Sequence, residues 1–173
     1  MTLRSSLSPR LLAILMALIV AVALAMSGSV RADGVAPVPE PQPAPGYLDR
    51  ARELVVQALS LIGVRYKFGG NSPDSGLDCS GFVNYVFRQA EGKQLPRDAA
   101  AMSKVGDKVD APDLQPGDLV FFNTRRRPYS HVGIYVGEQR FIHAPSRGRE
   151  VEVVDMTDRY WRARYNGARR VSP

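Results

Sequence analysis

Cys79 is the only cysteine in the chain, and His131 and His143 are its only histidines. A thiol, an imidazole that takes its proton and a polar group that orients the imidazole are the parts of a nucleophilic acyl-transfer site. Cys79 opens the stretch "CSGFVNYVFRQAEG", in which Phe82, Val83, Val86, Phe87 and Ala90 share a helical face and Gly92 supplies a stop. This pattern predicts a helix that starts at or just after Asp78, with the sulfur in its first turn. Unpaired backbone N–H groups and the positive end of the helix dipole there favour a thiolate over a thiol. Asp78 and Ser80 flank the cysteine with polar groups, and Ser80 and Gly81 are small enough for a substrate backbone to approach. A lone cysteine is more often a small buried hydrophobe, but the buried face of this helix is already supplied by its phenylalanines and valines.

The histidines lie in "HVGIYVGEQRFIHA", two extended runs around a turn near Gly137 and Glu138. An odd-numbered loop or a bulge would put both imidazoles on one face of the hairpin, whereas a plain two-residue turn would put them on opposite faces. His131, beside the polar loop "RRRPYS", is the better base; His143 suits holding the ring of His131 in one tautomer. A zinc site built from Cys79, His131 and His143, with Asp78 as a fourth ligand, is the rival reading. It lacks the Cys-x-x-Cys or His-x-x-x-His pairing such sites commonly show.

Other elements must bring these residues together. Leu48, Ala51, Val55, Ala58, Leu59 and Ile62 predict a first helix that stops at Gly63, and "RYKFGGNSPDSG" reads as a loop leading to the cysteine. A short polar helix is expected over Asp98 to Lys104. Beyond it come short extended runs: "DLVFF", "HVGIYVG", "RFIHAP", "EVEVV" and a last one in "ARRVS". Helices first and strands afterwards indicate an α+β domain, N-terminal helices packed on an antiparallel β-sheet meander.

With 173 residues the chain has room for one ordinary domain. Arg4 and Arg10 precede an uncharged run from Leu11 to Met26, and Val30 and Ala32 are small, the layout of a signal peptide cut after Ala32. An uncleaved membrane anchor is the alternative, although the run is short for a span of about 20 residues. Residues 1–32 are thus expected to meet the membrane only during export. Residues 33–46, with "VAPVPEPQPAPG", read as a proline-rich tether, and 47–173 as the domain. Removing the leader takes away three arginines and no acids, leaving 20 basic against 17 acidic residues. That balance gives little support to nucleic-acid binding but suits attraction to an anionic envelope polymer. A single cysteine excludes an internal disulfide.

"RYKFGG", "LDCSGFV", "LPR", "LQPGDLVFF", "SHVGIYVG" and "FIHAP", in this order and at these separations, resemble the NlpC-type family of cell-wall cysteine endopeptidases, which have a papain-like fold. The resemblance spans nearly all of Tyr47 to Val171. It implies Cys79 as nucleophile, His131 as general base and acid, His143 as the residue orienting it, and Tyr66 on the oxyanion side of the cleft, with Asp78 and Ser80 beside the substrate. It implies an exported, periplasmic or envelope murein hydrolase acting on peptidoglycan stem peptides, without metal or cofactor. The bond cut would involve D-glutamate or D-alanine and the diamino acid. Asp98 and Met102 stand where relatives often carry serine or threonine, and glutamine, so both are expected to line the substrate groove. The run Arg125 to Arg127 either grips substrate carboxylates or is a solvated loop. A catalytically inactive wall-binding or scaffolding module, and a thiol acyl or amide transferase of the same fold, are the competing functions. A monomer is expected, targeted by an envelope adaptor protein or by the basic tail "RYWRARYNGARR".

Overall fold

The computed structural model describes residues 46–124 and 126–171. The expected leader, all but the last residue of the expected tether, and Arg125 lie outside the described residues. Helix α1 spans Tyr47–Leu59 and α2 spans Cys79–Glu91. Between them a small hairpin joins β1 (Asn71–Ser72) to β2 (Gly76–Leu77), where the sequence predicts only loop. A short helix α3 (Ala99–Met102) is capped by Asp98, whose carboxylate accepts from the N–H groups of Ala100 and Ala101. The remaining elements are β3 (Asp107–Val109), β4 (Leu119–Phe122), β5 (His131–Gly137), β6 (Arg140–His143), β7 (Glu152–Asp155), a one-turn helix α4 (Arg159–Arg162) and β8 (Tyr165–Arg170).

The six longer strands form one antiparallel sheet in the order β3-β8-β4-β5-β6-β7. The expected meander is therefore real from β4 to β7. The last strand does not extend it: β8 crosses back to lie between β3 and β4, and β3 is a strand the sequence did not announce. Asp118, fully buried in the turn before β4, holds this closure through paired hydrogen bonds from the Arg170 guanidinium.

Both faces of the sheet are covered. Leu119 and Phe121 of β4 point, with Val132, Ile134 and Ile142, into a core shared with Phe82, Val83, Val86 and Phe87 of α2. Val120 and Phe122 point the other way, into a second core with Tyr135, Phe141 and Trp161. A strand buried on both faces loses the apolar/polar alternation of a half-exposed one, which is why "LVFF" is apolar throughout. The helical face predicted for α2 is the buried one. The residues predicted for α1 divide: Ala51 and Ala58 are buried, joined by Leu54 and by Leu61 in the next turn, while Leu48, Leu59 and Ile62 are exposed. Apolar residues lie all round this helix, so periodicity alone does not settle which stripe is buried, and the helix ends at Leu59, four residues before Gly63.

Candidate active site

Cys79 is the first residue of α2. Asp78 caps the helix, its Oδ1 accepting from the Gly81 N–H at 2.7 Å, and its Oδ2 accepts from the Gly69 N–H at 2.9 Å. Arg97 grips both carboxylate oxygens at 2.8 Å and also donates to Ser80 Oγ and to the Gly70 carbonyl. Burial alone would raise the Asp78 pKa; hydrogen bonds from Arg97, Gly81 and Gly69 and the guanidinium charge more than offset it and hold the carboxyl below its ordinary range. The capping carboxylate is thus neutralised by a fixed cation rather than left to oppose a neighbouring thiolate. Arg97 is in turn held protonated, first by its hydrogen bond to Asp78 and further by the charges of Asp78, Cys79 and Tyr66. Arg97 lies in the "LPR" motif, where the sequence alone gives the arginine no task, because its partners stand 17 to 27 residues away.

Cys79 is half-buried and unbridged, and it sits where two cavities meet. One is lined by Tyr66, Asp78, Ser80, Arg97, Asp98 and Arg127 among others. The other is lined by Tyr66, His131, Arg149, Asp158 and Trp161 among others. Cys79 and Tyr66 belong to both. Tyr66 is placed there by backbone contacts: its N–H donates to the Arg149 carbonyl at 2.8 Å and it bridges to Leu77. Asp98 lines the groove as expected, but Met102 does not; it is fully buried in the core beneath α3. Gly81 does not open space for a substrate either. A Cβ on it would lie 2.0 Å from the Gly70 carbonyl oxygen, so its missing side chain admits the loop at Gly69–Gly70.

The two histidines meet on one face. Ile134 pairs with Ile142 and Tyr135 with Phe141, but Gly137 pairs with Arg140, so Val136 is an extra residue on β5. The turn itself is only Glu138–Gln139, both at positive φ. The bulge restores the parity that a two-residue turn would have broken. His131 Nε2 and His143 Nδ1 stand 2.8 Å apart. With Nε2 engaged by His143, any proton exchange between His131 and a group in the cavity it lines with Cys79 would run through Nδ1. His143 is fully buried, and burial, followed by the charges of His131 and Arg149, pushes its pKa down to about 2. It is therefore a neutral ring that can accept from His131. Trp161, delivered by α4, stacks along His131 and packs edge-on against His143, with ring centroids 5.8 and 4.9 Å away. Among the described residues no group of three His, Cys, Asp or Glu side chains converges as metal ligands. The arrangement can ionise a thiol, orient the imidazolium that results and present an extended substrate on both sides of the sulfur.

The NlpC/P60 family pattern matches residues 63–170. The chain is 47% identical over 118 residues to the gamma-DL-glutamyl hydrolase of Bacillus subtilis, covering 68% of this chain and 28% of that protein. It is 45% identical over 124 residues to the murein DD-endopeptidase MepS/murein LD-carboxypeptidase of Escherichia coli K12, covering 72% of this chain and 64% of that one. The matched segment thus spans less than two thirds of either relative. A crystal structure of an NlpC/P60 family protein from Bacillus cereus superimposes with a TM-score of 0.66 at 34% identity, covering 77% of this chain and 42% of that one. The match runs through the capped cysteine helix and both histidine strands, and the backbone agrees with it: the chain belongs to the NlpC/P60 family.

Proposed function

We propose that this protein is an exported peptidoglycan endopeptidase that cleaves stem-peptide amide bonds with Cys79 as nucleophile, His131 as general base and acid, and His143 as the residue orienting it. The observation that carries this reading is the cavity shared by Cys79 and His131, with the far nitrogen of His131 held by a buried neutral imidazole. The thiol gives its proton to His131 Nδ1, and the thiolate attacks the amide carbonyl. The backbone N–H of Cys79, with Tyr66 beside it, faces the developing oxyanion. His131 returns the proton to the departing amine, and water then hydrolyses the thioester. Asp78, Ser80 and Arg97 form the wall on one side of the sulfur, Arg149 and Asp158 that on the other. The names of the relatives, a murein endopeptidase and a glutamyl hydrolase, support a substrate built on peptides containing D-residues.

The leader over residues 1–32 and the tether over 33–46 support a periplasmic or envelope location, with the domain over 47–173 acting as a monomer, guided by an adaptor or by its basic tail. Incubating the purified protein with peptidoglycan and identifying the released fragments by mass spectrometry tests the assignment. Fragments ending at an amide between stem-peptide residues are expected, and the same fragments name the bond. No release, or cleavage confined to the glycan, overturns it; binding without release would instead fit a wall-binding module.

A further inference from the structure

Glu152 is the cross-strand partner of His143, β7 against β6. Its Oε1 lies 3.7 Å from His143 Nε2, and both atoms are buried without a hydrogen-bond partner. Two buried polar atoms that face each other without hydrogen bonds are costly unless they serve one another. Arg149 reaches the same oxygen at 2.5 Å as an ion pair, without the angles of a hydrogen bond, and so fixes this carboxylate in place. Trp161 and Phe141 pack against the His143 ring and leave it no polar alternative on those sides.

The proton inventory along this line is constrained. When His131 takes the thiol proton at Nδ1 it carries a second proton on Nε2, and that N–H points at His143 Nδ1, 2.8 Å away. His143 Nδ1 must then offer a lone pair, so the single proton of the neutral His143 ring must reside on Nε2. A neutral imidazole has two tautomers, and the one adopted is set by what its nitrogens face. The wrong one would set N–H against N–H at the His131 contact and disfavour the imidazolium.

We propose that Glu152 is a positioning residue that selects the Nε2–H tautomer of His143 and thereby keeps His131 able to hold a proton for Cys79. The relay would run Cys79, His131, His143, Glu152, with Arg149 anchoring its end. This rests on His131 serving as the base, and so its test uses no peptidoglycan. In full-length protein labelled with 15N, the ring nitrogens of His143 report the tautomer directly, and iodoacetamide at pH 7 reports the reactivity of Cys79. Wild type is expected to show Nε2–H at His143. Glu152→Gln, which keeps an accepting oxygen, should retain that tautomer and an alkylation rate within about threefold. Glu152→Met, of similar length but without an acceptor, should show the Nδ1–H form in substantial amount. Its alkylation should slow by about tenfold to a hundredfold, the range found when outer partners that orient metal-bound imidazoles are removed. A Glu152→Met protein that stays folded with the wild-type tautomer and rate overturns the proposal. So does Nδ1–H at His143 in the wild type, whether or not any variant folds. Failure to digest peptidoglycan, with these two readouts as expected, would count against the hydrolase assignment alone.

Discussion

His131 and His143 come from different strands, 12 residues apart, yet their rings meet Nε2 to Nδ1 at 2.8 Å because one bulged residue, Val136, realigns β5 against β6. The contact is shielded by Trp161 and Phe141, so it operates in a site of low effective dielectric, where a hydrogen bond between rings is stronger than in water.

His143→Phe fills nearly the same space and removes the acceptor at Nδ1. Steady-state kinetics on a soluble stem peptide should show kcat reduced by about a hundredfold or more, the scale of a disabled general acid–base, with KM little changed because His143 lines neither cavity. A fall in affinity with kcat intact would place His143 in substrate binding instead.

The same residue should make the fold acid-sensitive. His143 has a folded-state pKa of about 2, below the ordinary value of 6.5, so beneath pH 6.5 the unfolded chain binds a proton that the native protein refuses. Its contribution is fully present above pH 6.5 and is lost as pH falls towards 2, by up to about 1.4 kcal/mol per pH unit. Denaturant titrations at pH 7 and pH 5 should show a smaller stability drop for His143→Phe than for wild type; equal drops would mean the ring is not held neutral.

Arg97→Met leaves the Asp78 carboxylate, only 12% exposed, with its backbone hydrogen bonds from Gly81 and Gly69 but without the two from Arg97 and without its counter-charge. Breaking a buried pair by removing one partner is strongly destabilising, but the arginine side chain is 45% exposed, so the cost expected here is about 1–3 kcal/mol. Chemical denaturation at pH 7 measures it, and iodoacetamide should react more slowly with Cys79, whose neighbouring anion is no longer neutralised. Unchanged stability would show that the Arg97–Asp78 pair adds nothing to the capped helix end.

Gly81→Ala should destabilise the protein, against the helix preference for alanine of about 1 kcal/mol. The new Cβ would lie 2.0 Å from the Gly70 carbonyl oxygen, which also accepts from Arg97 and from the Asp78 N–H. Moving that loop disturbs both contacts at the base of the nucleophile, for a loss of about 1–3 kcal/mol typical of overpacking. A stabilised Gly81→Ala protein would mean the loop moves aside without cost.

Much of this is legible in the sequence. The cysteine helix could be read from Asp78 to Gly92 because cap, apolar stripe and stop all agree there. The histidine hairpin could be read only conditionally, since nothing in "GEQR" announces a two-residue turn at positive φ or a bulge at Val136. Three features were hidden for a common reason: they depend on neighbours distant in sequence. Gly81 is small for the sake of Gly70, Met102 is buried by the core beneath α3, and β8 returns to β4 instead of following β7. Arg97 and Glu152 belong to the same class, charged residues whose partners only the fold identifies.

The central claim, that Cys79 and His131 act as one nucleophilic unit, is tested most directly by initial rates of stem-peptide cleavage for wild type, Cys79→Ala and His131→Ala, with folding checked by circular dichroism. Rates should fall by roughly three orders of magnitude or more in each single variant, and the double variant should be no slower than either, as expected when residues work together. Cleavage that persists at the wild-type rate without the Cys79 sulfur, or without the His131 ring, would contradict the account.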